Sequence, residues 1–206
     1  MRRLFVAFVP VAFAFILATT APAAPVPKHL IQDPVYYFPT KAGAKWVYDQ
    51  GNGECVLIVS KVEAREGVKV VSVESVEGNQ KFPFETIEVS ASGLVRTRCR
   101  AGELDPPSVL LKVPFKPRDS WDFDEPGSEI VGPQKGTCVV DTDSIRVPAG
   151  TFTTARVDRK CLVKLGGEQV YTKTSSWYAP NVGLVKMTDD KGKNIWVLRS
   201  FTPGKE

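Results

Sequence analysis

Apolar and polar residues alternate with a period of two along most of this chain, the spacing of strands, not the three-to-four spacing of amphipathic helices. In 54–62 the alternation carries apolar residues on both faces (Cys55, Leu57 and Val59 against Val56, Ile58 and Val62), as a centrally placed strand requires. The stretches 137–147 and 152–164 each keep one polar face, which predicts a sheet with one wet and one covered side. Turn-forming residues punctuate these runs at Arg65-Glu66-Gly67, Glu77-Gly78-Asn79, Ser90 to Gly93, Pro148-Ala149-Gly150, Gly166-Gly167, Pro180-Asn181 and Asp190-Lys191-Gly192. Composition agrees: from Ala24 onward there are 25 Val, 6 Ile and 12 Thr against 9 Ala and 10 Leu, so strand formers outweigh helix formers. The pattern predicts an all-β protein, one large curved antiparallel sheet or half-open barrel of roughly ten to twelve strands.

Register can be read for one hairpin. If Val147 faces Phe152 across a four-residue loop, Pro148 to Thr151, Cys138 falls opposite Cys161 and Asp143 opposite Arg156. One face then holds Val140, Thr142, Ser144, Ala155 and Val157, with Arg159 the exception. Four cysteines in an oxidising compartment suggest two disulfides, and this register predicts a Cys138–Cys161 bridge, leaving Cys55 to pair with Cys99. A short repeat is also visible. Pro39-Thr40-Lys41 precedes Trp46-Val47-Tyr48 with the spacing by which Pro114-Phe115-Lys116 precedes Trp121-Asp122-Phe123. We expect a single β-domain, 24–206, built of two similar halves at about 36–113 and 114–203.

The first 23 residues have the layout of a secretory signal peptide: Arg2 and Arg3, an uncharged run from Leu4 to Ala18, and Ala21-Pro22-Ala23 as the small-residue cleavage site. After cleavage no transmembrane segment is expected, and the mature chain belongs in the periplasm or outside the cell. Net charge is +4, or +2 once the two leader arginines are set aside, too little to mark a nucleic-acid partner.

Three segments carry a family likeness. They are Tyr36-Tyr37-Phe38-Pro39-Thr40-Lys41-Ala42-Gly43-Ala44-Lys45-Trp46-Val47-Tyr48, Val147-Pro148-Ala149-Gly150-Thr151-Phe152, and Trp177-Tyr178-Ala179-Pro180-Asn181-Val182-Gly183-Leu184-Val185-Lys186. Their order and spacing resemble a group of exported bacterial β-proteins of uncharacterised function, from Tyr36 to about Pro203. The sheets of that group look similar to the curved, half-open sheets of periplasmic lipoprotein carriers, which hold acyl chains in a concavity. The resemblance implies export and a β-fold, and transfers no binding residue. Within the motifs themselves, turn chemistry accounts for Pro148, Gly150 and Asn181, the last two placed where φ can be positive.

Catalytic signatures are scarce. His29 is the single histidine, and no G-x-S-x-G, S-x-x-K or H-E-x-x-H motif occurs. No cysteine spacing suggests zinc, and Asp122, Asp124 and Glu125, Asp141 and Asp143, and Asp189 and Asp190 read as solvated faces and turn tips; neither cofactor nor metal is expected. Arg96, Arg98 and Arg100 alternate with other residues and should emerge on one strand face, a candidate anion site, with Glu85 opposite Arg98 if Val89 faces Leu94. Trp46, Tyr48, Trp121, Trp177, Tyr178 and Trp196 are candidates to line the concavity. A half-open barrel must cover its concave face, so the expected function is non-catalytic binding of a lipid, another apolar small molecule or an envelope protein. The alternatives are a carboxylate-dependent cell-envelope hydrolase and a structural module of a surface assembly.

Overall fold

The computed structural model describes residues 35–125, 133–165 and 168–205; the expected leader, His29 and Gly166-Gly167 lie outside them. Twelve strands follow in chain order: β1 (Lys45–Asp49), β2 (Glu54–Arg65), β3 (Val68–Glu77), β4 (Gln80–Ser90), β5 (Gly93–Cys99), β6 (Gly102–Lys112), β7 (Asp119–Glu125), β8 (Gln134–Val147), β9 (Gly150–Leu165), β10 (Glu168–Ala179), β11 (Gly183–Thr188) and β12 (Asn194–Thr202). There is no helix among the described residues.

All twelve strands belong to one antiparallel sheet in the order β6-β5-β4-β3-β2-β1-β12-β11-β10-β9-β8-β7. Consecutive strands therefore pair throughout except β6 with β7, which are left as the two edges, and β1 closes onto β12. The sheet curls into a nearly closed barrel, the architecture the alternation predicts. Side chains bridge the two edges: the Ser108 hydroxyl on β6 donates to Glu125 Oε1 on β7 at 2.7 Å, and the Lys112 ammonium lies 5.7 Å from the centre of the Trp121 ring. Pro106 and Pro107 occupy β6 between Glu103 and Ser108, where no β5 partner is present; lacking N–H groups, they suit an edge strand.

Alternation sends one residue in two into the barrel. Trp46 and Tyr48 (β1), Leu57 and Val59 (β2), Val71 and Val73 (β3), Ile87 and Val89 (β4) and Leu94 (β5) are all buried. Each apolar side chain of this size stabilises the fold by about 1.5–3 kcal/mol when fully buried. Several ladders carry an extra residue, and three of these shape the lumen: Phe84 in β4, Thr97 in β5 and Val185 in β11. A bulge of this kind shifts the inside-outside parity of whatever follows it.

The β8–β9 register differs from the sequence expectation. The turn is two residues long, Pro148-Ala149, with Val147 opposite Gly150 rather than Phe152. Gly150 can close it at a φ of 139°. Every partner is displaced by two, so Cys138 faces Arg159, Cys161 faces Gly136, and Asp141 faces Arg156. An even shift preserves the faces, and Arg156 still reaches Asp143 at 3.8 Å. It does not preserve the expected disulfides: Cys55, Cys99, Cys138 and Cys161 are all free thiols. Cys138 and Cys161 are diagonal neighbours, and diagonal positions stand about 7–8 Å apart, beyond the usual reach of a disulfide. The tip of this long hairpin reaches β12, where the Ala149 N–H donates to the Leu198 carbonyl at 3.3 Å.

Candidate functional site

Inside the barrel lies a cavity of about 480 Å³, walled mainly by Trp46, Tyr48, Leu57, Phe84, Met187 and Trp196. That volume falls within the roughly 300–1,000 Å³ typical of small-molecule sites. The aromatic wall is internally braced. Tyr48 meets Trp196 edge-on, with centroids 5.1 Å apart and planes at 77°, and Phe84 packs on the same indole at 5.9 Å. Two polar atoms of the wall are taken up by residues at the start of β11: Trp46 Nε1 donates to the Val182 carbonyl at 2.7 Å, and the Tyr48 hydroxyl to the Leu184 carbonyl at 2.6 Å. Trp46, Tyr48 and Phe84 therefore offer the cavity chiefly hydrocarbon. Burial, reinforced by the nearby Glu85 carboxylate, pushes the Tyr48 phenol well above its ordinary pKa and keeps it neutral. The cavity extends to the Arg100-Ala101 turn, both of whose residues are exposed.

A second, more polar chamber of about 290 Å³ adjoins the first, with Arg96, Leu184 and Met187 common to both walls. Its centrepiece is Arg159, which donates to Glu125 through both terminal nitrogens (2.7 and 3.3 Å), reaches Gln134 at 3.4 Å, and stacks 3.6 Å from the Phe123 ring centre. Glu125 thus belongs to the lumen, not to a solvated strand tip as the acidic cluster suggested. At the junction, Arg96 donates through Nε to Glu85 Oε2 at 3.0 Å. Burial disfavours the charged guanidinium, but the Glu85 and Tyr178 interactions outweigh it and raise its pKa. The Tyr178 phenol is raised by its own burial, against the pull of Arg96. Cys138 and Cys161 line this chamber too. Burial drives the Cys138 thiol up to about 11, while Cys161 Sγ lies 2.9 Å from Thr172 Oγ1. Among the described residues no three His, Cys, Asp or Glu side chains gather as a metal site.

Of the six aromatic candidates, the barrel brings Trp46, Tyr48 and Trp196 to the first chamber and Tyr178 to the second. Trp121 is buried at the β6–β7 seam, lines neither chamber, and finds no hydrogen-bond partner for its Nε1 among the described residues. Trp177 points outward: its Nε1 donates to Asp143 Oδ2 at 3.0 Å and its ring carries the Lys186 ammonium at 5.6 Å. The arginine trio does not share a face. Because Thr97 is an extra residue in β5, Arg96 turns into the lumen, Arg98 stays outside with Glu103 (3.1 Å), and Arg100 reaches across to Glu77 (2.6 Å). Val89 does face Leu94, but the bulge places Thr86 opposite Arg98 and gives Glu85 to Arg96. The same device explains the residues the alternation missed. The extra Phe84 lets both Phe84 and Glu85 line the cavity, and the extra Val185 puts both Leu184 and Met187 there.

Residues 135–197 match the family described as DUF3108-like, which covers β8 to β11 and the start of β12. No curated protein matches the chain. A crystal structure from Bacteroides fragilis, provisionally described as an exported protein with a YmcC-like fold, superposes with a TM-score of 0.54 at 15% identity over 82% of this chain and 99% of that one. A second, from Parabacteroides distasonis and provisionally described as a lipoprotein, gives a TM-score of 0.49 at 16% identity over 83% and 100% of the two chains. The Bacteroides fragilis protein shares the fold.

Proposed function

We propose that this chain is an exported, non-catalytic β-barrel that holds an apolar or amphiphilic molecule in its lumen. The observation that carries the reading is the aromatic chamber of about 480 Å³, in whose wall the Trp46 Nε1 and Tyr48 hydroxyl are internally satisfied. A cavity so lined gains about 0.8 kcal/mol for each methylene it takes from water. The two luminal carboxylates, Glu85 and Glu125, are each engaged by an arginine, which suits binding better than acid-base chemistry. Outward-facing Arg98, Asp143, Arg156 and Asp158 are ion-paired, a surface made for water rather than for lipid. Export is supported by the leader-like residues 1–23 and by what is said of the Bacteroides fragilis protein. We also read the barrel as two similar halves, each led by a tryptophan strand and each supplying six strands.

The test is a titration of the purified chain with N-phenyl-1-naphthylamine, an apolar dye that brightens out of water. Saturable binding at one dye per chain is expected. Ala101→Trp, placed on the exposed turn at the cavity mouth, should weaken it by about tenfold or more without lowering thermal stability. Absence of saturable binding by the wild-type chain, or indifference to Ala101→Trp, would exclude the luminal site.

A further inference from the structure

Among the described residues three arginines line the chambers: Arg100 at the exposed mouth, paired with Glu77 at 2.6 Å, and Arg96 and Arg159 within, which are used differently. Arg159 is saturated: both terminal nitrogens are engaged by Glu125, one of them also by Gln134, and its plane is stacked on Phe123. Arg96 is approached side-on. Its Nε donates to Glu85, and its two terminal nitrogens make no further hydrogen bond among the described residues. Protein surrounds Arg96, yet 35% of its side-chain surface is open, against 13% for Glu85 and 20% for Arg159. That open surface faces the lumen, since Arg96 lines both chambers. The pair thus presents more of its cation than of its anion to the cavity.

Its position fixes what could use that cation. Arg96 stands where the aromatic chamber meets the polar one, so a molecule whose chain fills the former brings its end to the guanidinium. The charged lining of the aromatic chamber is Arg96, Arg100 and Glu85; Arg100 is held at the mouth by Glu77 at 2.6 Å, which leaves Arg96 as the cation within. Stability gives little reason for the arrangement, because a buried ion pair is no better for folding than apolar residues of the same volume. A valine-rich barrel wall could have supplied those. Resting on the luminal reading above, we propose that Arg96 is the head-group site for a single-chain amphiphile ending in one oxyanion. That head is a carboxylate or a phosphate monoester, gripped in the two-pronged geometry a guanidinium offers.

Displacement of the bound naphthylamine dye separates the possibilities. The probes are laurate, dodecyl phosphate and dodecanol, which share one chain and differ in the head, each used below its micellar concentration. Against the wild-type chain the better of the two anionic probes should displace dye at about tenfold lower concentration than dodecanol, the effect of a charge-assisted hydrogen bond, and the stronger one identifies the head. Glu85→Gln, which removes the competing carboxylate, should widen that preference. Arg96→Met combined with Glu85→Met should abolish it while dodecanol still displaces. Equal displacement by all three probes in the wild-type chain, or a preference that Glu85→Gln leaves unchanged, overturns the Arg96 site and leaves the luminal reading intact. Failure of the dye itself to bind removes both. Should the double variant not fold, Glu85→Gln alone decides.

Discussion

Cys138 shows what the barrel interior does to an ionisable side chain. It is 1% exposed, and burial moves its thiol from an ordinary 9.0 to about 11 despite the opposing pull of Arg159. The folded chain therefore binds this proton more tightly than the unfolded one, and between about pH 9 and 11 its stability must fall as pH rises. The contribution is whole below pH 9 and is lost through the folded value, an amount on the order of 2–3 kcal/mol. Comparing chemical denaturation at pH 8 and pH 11 for the wild-type chain and Cys138→Ala isolates it: the variant should lose less stability over the interval. Equal losses would mean that the thiol is not desolvated as its surroundings imply. At pH 8 the same proton shields Cys138 from iodoacetamide, so peptide mass spectrometry should find it unmodified in the native chain and modified after denaturation.

At the level of strands and turns, glycines separate backbone strain from collision. Gly93 and Gly102, flanking β5, both have a φ of 131°. A Cβ on Gly93 would strike the Leu111 carbonyl oxygen across the β5–β6 ladder, whereas one on Gly102 meets nothing within 4 Å. Gly102→Ala should cost the backbone strain alone, and Gly93→Ala at least about 2 kcal/mol more, measured by urea unfolding; equal costs would place β6 farther from β5 than the pairing requires. Such elements are also where the sequence could and could not be read. Period-two alternation and turn chemistry are local properties, so they revealed the strands and the turn at Asn181 (φ 58°). Bulges are local too, but nothing in Pro83-Phe84-Glu85 or Arg96-Thr97-Arg98 distinguishes an extra residue from a regular one. The fate of three arginines turned on a single threonine. Cysteine symmetry misled for a related reason: it rewarded a four-residue turn that placed two thiols face to face, while the chain closes on Pro148-Ala149 and leaves them diagonal.

For the molecule as a whole, closure is the decisive property, because eleven strand pairings are hydrogen-bonded ladders and the β6–β7 junction is made by side chains. Glu125 holds that junction, accepting from Ser108 of β6 and from Arg159 of β9 while itself lying on β7. All three strands also wall the polar chamber, so the seam and the lumen are mechanically one structure. With a ladder on one side only, β6 and β7 should exchange their amide hydrogens faster than β2, β3, β9 and β10, which are paired on both sides. Glu125→Ala would strand the Arg159 charge in the interior and should cost about 3 kcal/mol. Its signature is regional: hydrogen exchange followed by mass spectrometry should quicken in β6 and β7 beyond any uniform loss of stability, with β2 and β3 shifted only by that uniform amount. A variant in which all strands exchange faster in equal proportion would show that the barrel opens only by global unfolding. Selective loss at β6 and β7 would instead identify the seam as the place where the wall parts, next to the chamber where Arg96 stands.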